Sequence, residues 1–122
     1  MKSKSLALCA AALALSFALP ARAQTEIQWW HSMTAVNNEW VNDLAKQFNE
    51  SQKEFKVIPT YKGSYTDSFT AAIAAYRAGQ APHILQVFEV GTATMMASKG
   101  ATVPVGKVMK DAGYKFDPAA YI

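Results

Sequence analysis

Between Glu26 and Ala112 the apolar positions change period several times, and each change marks an element. Glu26-Ile27-Gln28-Trp29-Trp30 alternates briefly, which predicts a strand ending where polar His31-Ser32-Met33 interrupts the apolar run. Trp40, Leu44 and Phe48 then recur at every fourth position, with Val41 and Ala45 beside them and Asn42, Asp43, Lys46 and Gln47 opposite. That is the stripe of an amphipathic helix, which Asn37 or Asn38 can cap. Phe55 to Thr60 predicts a second strand, and Pro59 pushes it towards a sheet edge or an early end because proline lacks the ladder N–H. After the turn-rich Tyr61-Lys62-Gly63-Ser64-Tyr65, residues Phe69, Ala72, Ile73 and Tyr76 draw a second helical stripe. Ser64 or Thr66 serves as its N-cap, and Gly79 stops it.

His83 to Phe88 is a short apolar run with Ala-Pro before it, which predicts a strand buried on both faces. Glu89 then lies at its carboxyl end, with Gly91 opening the segment behind. A third helix is expected over about Thr92 to Ser98, followed by a break at Val103-Pro104-Val105-Gly106 and a short helix from about Val105 to Ala112. The order strand, helix, strand, helix, strand, helix is α/β: right-handed crossovers building a parallel sheet with helices on both faces. Three strands are few for such a layer, so the expectation is a piece of a longer protein.

The leader changes the charge picture. Lys2 and Lys4, the apolar run Ser5 to Pro20, and Ala21-Arg22-Ala23 have the three parts of a secretory signal peptide, placing cleavage before Gln24. The run is shorter than the roughly 18 apolar residues a membrane span needs. Cys9, the single cysteine, sits inside that run after Leu8 rather than at a lipoprotein cleavage boundary, so no lipid anchor is expected. Of the 12 Lys and Arg residues three belong to the leader, while all 9 acids lie beyond it, so residues 24–122 are formally neutral. With no basic cluster remaining, neither nucleic acid nor an anionic membrane surface is implied. An exported domain without disulfides fits a bacterial periplasm.

No catalytic motif emerges. His31 and His83 are too far apart in sequence for helical metal-ligand spacing, and His31 reads better as a hydrogen-bonding group at a strand end. The glycines fit neither dinucleotide nor phosphate loops, and no Gly-x-Ser-x-Gly elbow occurs. Asn49-Glu50-Ser51 matches the glycosylation pattern by chance in a protein of this kind. The informative groups are Trp29, Trp30, Tyr61 and Tyr65, at or just after the ends of the first two strands. In a parallel sheet they share a rim with Glu89, where open α/β folds bind ligands. Aromatic faces and a carboxylate suit a polyol, although alternation places one of the two tryptophans in the core. A secreted hydrolase using Glu89 would need a second carboxylate; Asp67, the nearest in sequence, reads better as a capping or dipole residue on a helix first turn.

Three stretches carry a resemblance: Trp30-His31-Ser32-Met33, Ile58 to Tyr65, and Ala81-Pro82 with Ile84 to Lys99. From about Ile27 onward they resemble the N-terminal part of the periplasmic solute receptors of ABC importers, specifically those for glycerol 3-phosphate. The resemblance implies a two-lobe periplasmic binding protein-like fold in which residues 24–122 begin the first lobe. It implies a non-enzymatic, cofactor-free receptor that binds sn-glycerol 3-phosphate and its glycerophosphodiesters and delivers them to inner-membrane permease subunits. Tyr65 and Glu89 match two of the family's ligand-binding residues; the serine, glycine, tyrosine and arginine contacts are expected beyond Ile122. A receptor for another sugar or polyol phosphate is the alternative.

Overall fold

The computed structural model describes residues 23–121, so most of the expected leader lies outside the described residues. Strand β1 (Thr25–His31) occupies the centre of a three-stranded parallel sheet, with β2 (Phe55–Tyr61) on one side and β3 (Ile84–Leu85) on the other. Helix α1 (Ala35–Ser51) connects β1 to β2, and α2 (Tyr65–Arg77) connects β2 to β3. Helices α3 (Glu89–Ala97) and α4 (Val105–Asp111) and a 3-10 turn (Pro118–Tyr121) follow.

The register decides which side chains share a face. Thr25 to His31 lie opposite Phe55 to Tyr61, while Trp29 and Trp30 lie opposite Ile84 and Leu85. Ile27, Trp29, Val57 and Ile84 therefore form one face, and they border a cavity together with Leu44 and Phe48 of α1. Leu85 belongs to the opposite face and borders a second cavity with Phe69, Ile73 and Met95 from α2 and α3. Helices thus cover both faces, as the βαβ order predicts.

Two boundaries differ from the sequence expectation. The third strand is two residues long rather than six, and α3 begins at Glu89 rather than near Thr92. The cause is its partner: the Gln86 N–H still donates to the Trp30 carbonyl at 2.9 Å, but β1 ends one residue later, so the ladder has nothing further to bond. Glu89 consequently belongs to a helix start and not to a strand end.

Helix α1 also turns a different stripe inward. Its buried residues are Val41 and Ala45, whereas Trp40, Leu44 and Phe48 remain 61%, 38% and 44% exposed. Small side chains at 41 and 45 let the helix axis approach the sheet, which leaves the bulky ones along its flank. The helix starts at Ala35, with Thr34 as an N-cap that makes no side-chain bond, so neither Asn37 nor Asn38 caps it. Ala35 itself takes a left-handed φ of +49°, a conformation disfavoured for residues with a Cβ.

The outer edge of β2 is closed by three separate devices. In the parallel ladder its odd-numbered residues face away from β1. Gln52 accepts from the Phe55 N–H at 2.8 Å and donates to the Phe55 carbonyl at 2.7 Å. Asn49 does the same for Val57, accepting at 2.7 Å and donating at 2.9 Å. Pro59 has no N–H to offer. These amides reproduce a neighbouring strand, so the edge presents little template for another chain. Asn49 is thus held by the sheet. Asn49→Ala removes both bonds to Val57 and is expected to destabilise the fold by about 1–3 kcal/mol. A lower denaturant midpoint and faster amide exchange at Val57 are the measurements; an unchanged Val57 amide would mean that another group holds the edge.

Candidate functional site

Because the three strands are parallel, their carboxyl ends meet at one rim. Trp30 and His31 finish β1, Tyr61 finishes β2 with Lys62 directly after it, and Gln86 to Glu89 lead out of β3. The entry to α2 is built by its own sequence. Gly63 adopts φ +85°, and a Cβ there would also come within 3.1 Å of the Asp67 carboxylate. Ser64 then caps the helix: its Oγ accepts from the Asp67 N–H at 3.2 Å, while the Asp67 carboxylate accepts from the Ser64 N–H at 3.2 Å and from the Ser64 hydroxyl at 2.7 Å. This reciprocal capping box fixes Tyr65 as the first helical residue. It also settles the N-cap as Ser64 and gives Asp67 the capping role its position suggested.

Tyr65 and the Glu89 segment are brought together through Phe88. The Tyr65 and Phe88 rings lie 5.6 Å apart at 33°. Phe88 is the N-cap of α3, and Glu89 is its first residue. With no side-chain cap on that helix, the Glu89 carboxylate supplies negative charge where the helix end is partially positive. Glu89 is exposed, and among the described residues its carboxylate has no hydrogen-bond or ion-pair partner.

Gly91 makes this arrangement possible. A Cβ at 91 would meet Val87 Cγ1 at 2.8 Å and Phe88 Cε1 at 3.4 Å, so the first turn of α3 folds onto its own approach segment only with glycine there. The sequence marked Gly91 as a strand boundary, and its actual reason is close packing inside a helix. Gln86 was legible only as part of an apolar run. In the structure its side-chain oxygen accepts from the Ser32 N–H at 2.9 Å and its own N–H donates to the Trp30 carbonyl, which ties the β1–α1 link to the segment leading to Glu89.

The four rim aromatics do not converge as the sequence suggested. Trp29 and Tyr61 have the parity of His31, whose ring lies 6.1 Å from Trp29 and 6.2 Å from Tyr61, on the α1 side of the sheet. Trp30 faces the α2 and α3 side, where Lys62 Nζ sits 4.0 Å from its ring centroid. Both tryptophans are half-buried, so neither is the core residue that alternation expected. The separation of Trp29 from Trp30 follows from period-two geometry, in which consecutive residues occupy opposite faces.

His31 is 1% exposed, and its Nδ1 accepts from the Met33 N–H at 3.3 Å. Burial lowers its pKa below the ordinary value near 6.5. His83 is engaged as well, its Nδ1 accepting from the Gln28 N–H at 3.0 Å. Two apolar cavities among the described residues, of about 340 and 390 Å³, are lined by neither Tyr65 nor Glu89. They lie between helices and sheet, while the candidate residues stand on an open rim.

Three relatives are similar to this chain over about nine-tenths of its length. The sn-glycerol-3-phosphate-binding periplasmic protein UgpB of Brucella abortus is 53% identical over 111 residues, covering 91% of this chain and 26% of the relative. The protein of the same name from Rhizobium meliloti is 48% identical over 110 residues, covering 90% and 26%. That from Yersinia enterocolitica is 53% identical over 111 residues, covering 91% and 25%. The chain matches the N-terminal part of the sn-glycerol-3-phosphate-binding periplasmic protein family. It spans about a quarter of the length of the curated relatives it matches. No family model matches. The partial first lobe expected for such a receptor agrees with the three-stranded parallel sheet and its flanking helices.

Two outcomes follow for this segment. Gly91→Ala must displace stiff, β-branched Val87 or the Phe88 ring, with an expected loss of about 1–3 kcal/mol and weaker packing of Tyr65 on Phe88, visible as a changed near-ultraviolet circular dichroism spectrum. The depressed His31 pKa means that the unfolded chain takes up a proton more readily than the folded one. His31 therefore contributes full stability above about pH 6.5 and loses it as pH falls from there towards the folded value. Melting temperature should decline over that window in the parent and decline less in His31→Gln; parallel curves would exclude His31 as the source.

Proposed function

We propose that the protein to which this segment belongs is a periplasmic receptor for sn-glycerol 3-phosphate, and also for its glycerophosphodiesters. It encloses the ligand between two lobes and delivers it to the permease subunits of an inner-membrane ABC importer. The observation carrying this reading is identity of about half over nine-tenths of the chain to proteins named for that ligand. The matched region includes the rim where Tyr65 and Phe88–Glu89 meet.

Glu89 accepts hydrogen bonds from the glycerol hydroxyls, because a carboxylate beside the phosphate would be repelled by it. Tyr65 donates its phenol to a ligand oxygen while its ring covers the carbon skeleton. The phosphate-holding residues belong to the remainder of the protein. Residues 1–23 act as the export signal, releasing residue 24 onward into the periplasm. No helix among the described residues is long and apolar enough to cross a membrane. A hydrolytic role has less support, because the Asp67 carboxylate is engaged in the Ser64 capping box.

In a full-length receptor carrying this segment, calorimetric titration of glycerol 3-phosphate should show Glu89→Gln weakening affinity by about tenfold or more, as a charge-assisted bond of about 1.5–3 kcal/mol requires. Tyr65→Phe should weaken it by less. Unchanged affinity in both variants would remove these residues from the site. A panel of glycerol 3-phosphate, glycerophosphocholine and maltose separates this reading from a receptor for another solute, which would prefer a ligand other than the first.

A further inference from the structure

The function proposed above leaves one cation at the rim without a task. Lys62 directly follows β2, and its N–H donates to the His31 carbonyl at 2.9 Å, so the base of the side chain is pinned to the end of β1. Its parity in the ladder puts it on the face of Trp30, the side covered by α2 and α3, where Tyr65 and Glu89 also stand. The ammonium rests 4.0 Å from the Trp30 ring centroid.

An indole face attracts an ammonium without cancelling its charge, in contrast to a carboxylate. Among the described residues the ion pair formed is that of Lys107 with Asp111 on α4, and Lys62 has no carboxylate partner. Asp67, the acid nearest in sequence, is held by the Ser64 N–H and hydroxyl. The rim therefore carries one unneutralised carboxylate, Glu89, and one unneutralised ammonium, Lys62. A ligand with hydroxyls at one end and a phosphate at the other approaches with net negative charge, which Glu89 repels and Lys62 attracts at long range.

We propose that Lys62, parked on Trp30, is the specificity-determining cation of this lobe, steering the dianionic phosphate monoester into the cleft and favouring it over ligands without net charge. The proposal rests on the receptor reading above. Without Lys62 the rim of this lobe would repel the phosphate through Glu89. With it, long-range repulsion is offset before any contact is made, and the effect appears mainly in the association rate and its dependence on salt.

The test is stopped-flow association of a full-length receptor carrying this segment with glycerol 3-phosphate and with glycerophosphocholine, whose headgroup has no net charge, across ionic strengths. Lys62→Met should slow association with glycerol 3-phosphate roughly three- to tenfold at low salt, flatten its salt dependence, and leave glycerophosphocholine nearly unaffected. Lys62→Arg should restore the rate. Lys62→Gln gives the same comparison if the methionine variant does not fold. Unchanged rates and salt slope in the neutral variants, or equal losses for both ligands, would overturn the role of Lys62 while leaving the receptor reading intact. A parent protein that binds neither ligand would overturn the receptor reading and this proposal with it.

Discussion

The structure depends on the parallel pairing of β1 with a strand on each side. Seven consecutive residues of β1 are matched to seven of β2, and two of them, Trp29 and Trp30, are matched again to β3. A slip of one residue in either ladder would exchange the faces of Ile27, Trp29 and His31 with those of Gln28 and Trp30. The apolar positions of α1 would then meet polar groups, and Trp30 with Lys62 would leave the side of Tyr65. Parallel pairing also aligns the three carboxyl ends, and without that alignment Tyr65, Lys62 and Glu89 would not share a rim.

From that rim outward, placement is the work of helix starts. Helix α2 is capped by its own Ser64 and Asp67, with Gly63 supplying the left-handed turn, so its first residue is held independently of any ligand. Helix α3 lacks such a cap and relies on close packing of Gly91 against Val87 and Phe88. Its negative charge in the first turn comes from Glu89 itself. One limb of the rim is therefore fixed by local hydrogen bonds and the other by sterics, with the Tyr65–Phe88 contact joining them.

The two edges of the sheet are treated differently. Side-chain amides of Asn49 and Gln52 and the missing N–H of Pro59 close the β2 side, which leaves the β3 side as the edge on which the sheet can be extended. The flank of α1, with Trp40, Leu44 and Phe48 partly exposed, is likewise more apolar than an isolated surface favours. Both features suit a segment that amounts to about a quarter of its relatives' length. The rim has the same character: it holds a carboxylate, an ammonium and aromatic faces, and it is an open surface rather than an enclosed pocket.

Local chemistry made several features legible in the sequence alone. The alternation in Glu26 to Trp30, the stripe of α2, the Ser64 cap with Asp67 and the edge position implied by Pro59 each depend on residues within a turn or two of one another, and each is found in the fold. The βαβ order that these elements compose followed from the same reading, whereas Tyr65 and Glu89 were singled out as a pair by resemblance to a receptor family. Tertiary structure decided the rest. The inward face of α1 was set by how closely Val41 and Ala45 allow it to approach the sheet, not by where the largest apolar side chains lie. The length of β3, and with it the placement of Glu89 on a helix, was set by the end of β1, which no pattern within residues 83–88 encodes. The division of the aromatics, Trp29 and Tyr61 with His31 but Trp30 with Lys62, required the register between strands about thirty residues apart. Sequence determines local conformational preference, but the partner across a ladder or an interface selects among the faces and lengths that preference allows.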